Sequence, residues 1–246
     1  MPQPLSLAVL GHSDDASRMG DLLAKNGTQV VRFESIPSTL ADVDAVFSFS
    51  TSVATRAVAE QVASLIPAGT VFADFSAGTP AAKRTIAELF DDGVYVDAVE
   101  RDGSIDMSGP GVTSLAERLS PLGLAAECVS SAPGDASARR LLRSLLAKGL
   151  AGVFIDTLWA AEALGMQAWA FEEIVREFDS ASAGAAQRFL SDTASNIKRR
   201  QIDMIDVVEM LTESGYDSTM IAPIEFTYGR VLHGKKIPFS KVIDTD

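Results

Sequence analysis

The sequence predicts an α/β fold: a doubly wound, mostly parallel sheet followed by an all-helical C-terminal domain. Three observations predict it. Short apolar runs alternate with helix-period segments over roughly the first 130 residues, the pattern of βαβ units. The first apolar run ends at Gly11, which opens directly into a helical pattern. After Pro133-Gly134 strand signals cease, and the remaining segments read as helix.

The elements follow in order. Residues 5–10 form an apolar run that stops at Gly11. A helical pattern fills Asp14–Lys25 and is closed by Asn26-Gly27. Valine-rich Gln29–Phe33 reads as the second strand, 43–49 as the third and 70–74 as the fourth. A helix over 80–90 leads into a fifth strand at 94–98. Strands at Ser104–Ser108 and 124–129 bracket a helix over Val112–Leu119. Right-handed crossovers place the strand C-termini along one edge, where such sheets take ligands. Beyond that, 136–165 is one long helix, followed by helices at 169–178, 186–200, 202–214 and 219–232. Gly215 with Tyr216-Asp217-Ser218 reads as a stop and a new cap. The domains are therefore 1–133 and 134–246, with 235–246 a frayed polar tail.

Composition narrows the function classes. Hydrophobic residues make up 47% and charged residues 22%, enough for a real core. The formal net charge of −12, without a long basic run, argues against nucleic acid as a partner. Lys198-Arg199-Arg200 is the one basic cluster, read as a salt-bridged helix face or as a group reaching a partner subunit. A single cysteine, Cys128, supports neither an internal disulfide nor a zinc site and is expected in the core. Trp159 and Trp169 are expected as packing residues. The N-terminal segment lacks the basic and small-residue marks of a signal peptide. No uncharged apolar stretch approaches the ~18 residues of a membrane span. A cytoplasmic protein is expected.

The turn after the first strand carries the first chemical signal. A Rossmann-type dinucleotide turn is strand, G-x-G-x-x-G, helix, its glycines letting the backbone approach a pyrophosphate at the helix N-terminus. Here the window reads Gly11-His12-Ser13-Asp14-Asp15-Ala16. The first glycine is kept, alanine at the third position is an accepted variant, and Ser13 places a Cβ where the second glycine belongs. Two readings stand: a dinucleotide turn with Gly11, His12 and Ser13 against the cofactor, or a helix merely capped by Ser13 and the two aspartates. Glu34 stands at the end of the second strand, about 20 residues beyond the glycine, where a carboxylate holds the ribose hydroxyls of NAD and repels the extra phosphate of NADP. Arg32 nearby is a counter-signal, since it can bind a phosphate if its side chain turns that way. The alternative for Glu34 is an ordinary surface acid.

With these residues in place, the chain resembles the 6-phosphogluconate / 3-hydroxyisobutyrate (β-hydroxyacid) dehydrogenase superfamily, in its phosphogluconate dehydrogenase-like branch, and more distantly the imine reductases. The segments that carry the resemblance are Ala73-Asp74-Phe75-Ser76-Ala77-Gly78-Thr79-Pro80, similar to a D-x-S-T-x-x-P stretch, and Gly134-Asp135-Ala136-Ser137-Ala138 opening the long helix. Lys148-Gly149-Leu150, Asp203-Met204 and Thr219-Met220 are similar as well. The resemblance implies NAD or NADP as cofactor, with NAD favoured by Glu34. It implies that Ser50, Thr51 and Ser76 line the cofactor, the alternative being loop caps. It also implies a homodimer completed by intertwined helices.

Departures accompany the resemblance. The link 35–42 is short, and Asp97-Ala98-Val99-Glu100-Arg101-Asp102-Gly103 runs straight into the next strand without a glycine-rich substrate loop. The position matching the family's catalytic lysine holds Arg140, with Ser144 four residues later. Arginine stays protonated and is a poor base, but it clamps carboxylate or phosphate. Residues 140, 144 and 148 share one helix face. Arg140, Ser144 and Lys148 are thus the candidate catalytic set, recognising an anionic small-molecule substrate, with Lys148 as the proton-transfer group. The alternative is a charged exposed or dimer-facing helix. Asp97 and His233 are lesser candidates. The function expected is an NAD(P)-dependent oxidoreductase acting on a small hydroxy acid, imine or enamine. A catalytically degenerate binding or regulatory protein on the same scaffold is the alternative.

Overall fold

The computed structural model describes residues 5–101, 103–163, 165–178, 183–213 and 221–240. The chain divides into two compact units, Met1–Arg140 and Leu141–Asp246. The division falls inside the long helix, so the opening turns of that helix belong to the first unit.

The first unit is built on a seven-stranded sheet of order β2-β1-β3-β4-β5-β6-β7. Its strands are β1 (Ser6–Leu10), β2 (Gln29–Phe33), β3 (Ala45–Ser48), β4 (Val71–Asp74), β5 (Tyr95–Arg101), β6 (Ser104–Ser108) and β7 (Ala125–Ser130). Every pairing is parallel except β5 with β6. That antiparallel pair closes at Arg101 opposite Ser104, with Gly103 in the left-handed region at φ 83°. The direct passage from fifth to sixth strand read in the sequence is therefore a tight hairpin.

Side-chain alternation distributes the core over two faces. On one, Leu7, Val9, Phe47 and Val96 pack with Ala16, Met19 and Leu23 of α1 (Asp14–Lys25) and Leu115 and Leu119 of α4 (Val112–Leu119). On the other, Leu10, Val46, Phe72 and Tyr95 pack with Ala59 and Val62 of α2 (Thr55–Ala63) and Ile86 of α3 (Pro80–Ala87). Helix α2 is an element that the sequence reading lacks. Its buried face is Thr55, Ala59 and Val62.

The outermost strands corrected a second expectation. Cys128 is exposed, not core. The apolar run around it reads as buried, but β7 lies at the sheet edge and its side chains are largely solvated.

The second unit is helical. Helix α5 (Asp135–Ala163) enters it, followed by α6 (Gln167–Phe178), α7 (Ala183–Ser195), α8 (Ile197–Glu213) and α9 (Ile221–Leu232). Its core gathers Leu141, Ile155, Leu158, Leu190, Met204, Val207, Ile224 and Tyr228. The break expected near 201 falls instead at Asn196. Asn196 donates from Nδ2 to Asp192 Oδ1 (2.7 Å), and its carbonyl accepts from the Arg200 amide (2.9 Å), which starts the new helix. The expected stop at Gly215–Ser218 lies outside the described residues, as does the Trp159 side chain. Trp169 is 54% exposed and not a core residue. Within the supposed tail Ile237 is buried, and Phe239 stacks on Phe171 at 4.6 Å. Among the described residues no helix is long and apolar enough to cross a membrane.

Candidate functional site

The winding of the sheet reverses at β1, whose neighbours are β2 on one side and β3 on the other. The crevice beyond the C-terminal ends of β1 and β3 is the position where open α/β sheets take ligands. Gly11 leaves β1 into it with φ 129°, and its amide donates to Phe33 O at the tip of β2 (2.9 Å). A Cβ at Gly11 would stand 3.0 Å from Phe49 O, so both conformation and space demand glycine. Ser13 caps α1, its Oγ accepting from the Ala16 amide (3.2 Å), and its φ of −75° needs no glycine. The first amides of a helix have no intrahelical acceptor. Ser13 satisfies one, and those of the opening turn are left for a ligand or water. Asp14 and Asp15 are exposed on the same turn and oppose an anion by Coulomb repulsion. His12 and Glu34 are exposed beyond β1 and β2.

Two further loops border this edge. Ser50 Oγ donates to Thr55 Oγ1 (3.0 Å), and Thr55 Oγ1 donates to Thr51 O (2.7 Å). Thr51 Oγ1 accepts from the Ala54 amide (3.3 Å). These hydroxyls set the entry into α2, which has no side-chain cap of its own at Ala54. From the same turn Val53 projects into solvent, 93% exposed.

Ser76 belongs to a buried charge cluster that the sequence reading did not foresee. Asp74, which ends β4, and Asp97, the third residue of β5, are register partners, and neither is exposed to water. Two adjacent carboxylates so placed require a cation and hydrogen-bond donors. Lys83 on α3 supplies the cation, 2.9 Å from Asp74 Oδ2 and 3.5 Å from Asp97 Oδ1. Its Nζ also donates to Ser76 O (2.8 Å). Asp74 Oδ1 accepts from the Ser76 amide (2.9 Å) and hydroxyl (2.5 Å), and Oδ2 accepts from Tyr95 OH (3.0 Å). Burial, then the charges of Asp74 and Asp97, push the Tyr95 hydroxyl well above its ordinary value of 10.0. Asp97 is turned toward α5: it accepts from the Ser137 amide (2.8 Å) and hydroxyl (2.7 Å). Ser108 Oγ accepts from the Ala136 amide (2.9 Å). The opening turn of α5 is thus capped by side chains of β5 and β6. One turn on, Arg140 donates to Gly78 O (3.3 Å). Gly134, at φ 97°, lies so close to Pro80 that a Cβ would stand 2.7 Å from its carbonyl oxygen.

The helical unit holds a second buried lysine. Lys148 pairs with Asp203 Oδ2 of α8 (2.7 Å) and donates to Ser144 Oγ (3.0 Å). Tyr228 OH donates to the Lys148 carbonyl (2.9 Å). Arg200, also buried, pairs with Asp192. His233 Nδ1 meets Gly229 O (2.8 Å) on the exposed end of α9.

The structure thus brings Lys148 and Ser144 together and adds Asp203. It gathers Ser50 and Thr51 around Thr55, and Ser76 and Asp97 around Lys83. Gly11, His12, Ser13 and Glu34 lie along the ligand edge of the sheet. Lys83 went unread because a lysine on a short helix passes for a surface residue. The available signal was an aspartate in each of two neighbouring apolar strands, Asp74 and Asp97. Among the described residues no cluster of His, Cys, Asp or Glu would hold a metal ion. A groove of about 1190 Å³ opens at the opposite edge, where Ser6, Gln29 and Asp44 begin or precede their strands. Arg118 there is spent on the backbone oxygens of Asp44 and Gly69 (2.9 Å each).

No protein-family model matches the sequence, and no curated protein matches it. Solved structures do share its fold. A conserved hypothetical protein from Sinorhizobium meliloti 1021 has a TM-score of 0.79 at 23% identity, over 98% of this chain and 93% of that one. A 3-hydroxyisobutyrate dehydrogenase from Mycobacterium tuberculosis has a TM-score of 0.75 at 14% identity, over 96% of each chain. An imine reductase from Bacillus cereus has a TM-score of 0.56 at 16% identity, again over 96% of each. The fold, a Rossmann-type sheet with a helical C-terminal part, is the one found in hydroxyacid dehydrogenases and imine reductases.

Proposed function

We propose that this chain is an NAD(P)-dependent oxidoreductase of the β-hydroxyacid dehydrogenase type, acting on a small anionic hydroxy acid or on an imine or enamine. The observation that carries the reading is the Gly11 turn. A glycine at φ 129°, where a Cβ would stand 3.0 Å from Phe49 O, sits at the winding reversal, opens the turn into α1 and is bonded to Phe33, the neighbour of Glu34. Those residues suit a dinucleotide: the amides receive the pyrophosphate and Glu34 the ribose hydroxyls. When bound, the nicotinamide supplies or accepts the hydride. The protein's own groups do the rest. Arg140 remains a cation and holds a carboxylate of the substrate rather than taking a proton. Lys148, paired with Asp203 and bonded to Ser144, is the proton-transfer group. An ion-paired ammonium already carries the proton that a reduction must deliver, so this set suits imine or carbonyl reduction better than alcohol oxidation.

Arginine in place of the family's lysine favours one second reading, a binding protein that retains the nucleotide and has lost turnover. The first test serves both. NADH or NADPH at millimolar concentration is expected to raise the melting temperature, since a ligand at 100 times its Kd adds about 2.7 kcal/mol. Absence of a shift with either nucleotide overturns the dinucleotide reading. Binding without turnover on any hydroxy acid or imine selects the second.

A homodimer is part of the proposal. Leu142, Leu146 and Val153 form an exposed apolar stripe along α5, and Ile202, Ile205 and Val208 another on α8. Contiguous apolar strips of this kind mark subunit contacts. The solution mass is expected to be twice that of the chain, and a monomeric mass overturns this part. The free single cysteine fits a reducing, cytoplasmic setting.

A further inference from the structure

Resting on the dinucleotide reading, we propose that Asp21, with Gly20 beside it, decides against the 2′-phosphorylated nucleotide by holding Arg32 on the surface of α1. Arginine near the end of the second strand is the side chain best suited to a 2′-phosphate, because its guanidinium binds phosphate oxygens bidentately. Here that arginine is committed elsewhere. Val30 packs with the residues of α1, so Arg32, two positions on, faces the same helix. Its Nη2 lies 2.5 Å from Asp21 Oδ1. The bond from Arg32 is the main cause that holds the Asp21 carboxyl below its ordinary range.

Gly20 shows that the arrangement is built into the helix. Glycine in a helix interior costs stability relative to alanine. At this position a Cβ would stand 2.8 Å from Arg32 Nε and 3.1 Å from Cζ. The guanidinium fills the space that any other residue would occupy. Neighbouring charge is arranged alike. Arg18, on the same helix, is taken up by Asp15 (2.8 Å) and Glu100 (3.2 Å). Glu34 lies two residues past Arg32, roughly 6–7 Å along the strand. A 2′-phosphate there meets a carboxylate, with the arginine that would offset it turned aside. A ribose hydroxyl meets an acceptor.

The test is a titration of NADH and NADPH against the full chain, followed by tryptophan fluorescence. The wild-type protein is expected to bind NADH more tightly. Asp21→Asn is expected to raise NADPH affinity by about threefold to fivefold, the range of an exposed ion pair, while NADH affinity stays nearly constant. Gly20→Ala, which alters no charge, is expected to act in the same direction by displacing the guanidinium. Adding Arg32→Ala to Gly20→Ala is expected to cancel the gain. If Asp21→Asn and Gly20→Ala both leave the NADPH-to-NADH ratio unchanged, or if the wild type prefers NADPH, the assignment of Asp21 falls and the oxidoreductase reading stands. Binding of neither nucleotide by the wild type removes both.

Discussion

Each unit of this protein buries a lysine, and the two are buried differently. Lys83 is inaccessible, lies between two carboxylates, and also donates to a backbone carbonyl. Lys148 retains 8% exposure, and its Asp203 partner 17% at the side chain, and the lysine also donates to the Ser144 hydroxyl. The first cluster is closed: it ties β4, β5, α3 and the start of α5 together and leaves no approach for a ligand. The second is less completely buried. Burial of a cation is therefore not itself a mark of chemistry here. What separates the two is how far each side chain is withdrawn from water and which groups surround it.

Substitution can break that contrast. Lys83→Met removes the cation between Asp74 and Asp97 and is expected to cost about 3–5 kcal/mol, read from urea unfolding. Lys148→Met is expected to cost about 1–2 kcal/mol, because Asp203 can be hydrated, while abolishing turnover of any substrate that the wild type reduces. Equal losses of stability, or a fully active Lys148→Met, collapse the distinction.

A smaller effect sharpens it through pH. The folded state holds the Tyr95 proton more tightly than the unfolded chain, whose tyrosine has the ordinary value of 10.0. A group raised in this way contributes stability that is complete below the unfolded value and is lost as pH climbs toward the folded one. Above about pH 10 this residue alone should reduce stability by about 1.4 kcal/mol per pH unit. Tyr95→Phe is expected to flatten that part of the profile. An unchanged alkaline slope would mean that the folded state does not hold this proton more tightly than the unfolded chain.

Much of the architecture was legible in the sequence, because strands and helices of the first unit advertise themselves by periodicity and by Gly11, Asn26-Gly27 and Pro80 at their ends. Helix α2 was not: it is short, and no side-chain cap at Ala54 announces its start. Cys128 misled because an apolar run says nothing of whether its strand is central or at an edge; only strand order does. At the candidate site, Gly11 and the Ser144–Lys148 pairing followed from local spacing. Asp203 and Lys83 did not, being brought in from 55 and nine residues away by packing that no spacing rule encodes. Asp97 is a lesser candidate in the sequence; it lies inside β5, not at its end, and its partner Ser137 lies 40 residues on.

That last separation bears on how the chain is made. During synthesis Asp74, Lys83 and Asp97 emerge well before Ser137, so the sheet reaches its full complement of strands with one carboxylate still short of an amide and a hydroxyl. A fragment cut at residue 133, just before the long helix, would keep that deficit permanently. One carried through Arg140 would contain every donor that Asp97 uses. The opening turns of α5 are the final piece of the first unit to leave the ribosome, and Asp97 gains its last two donors only when they arrive.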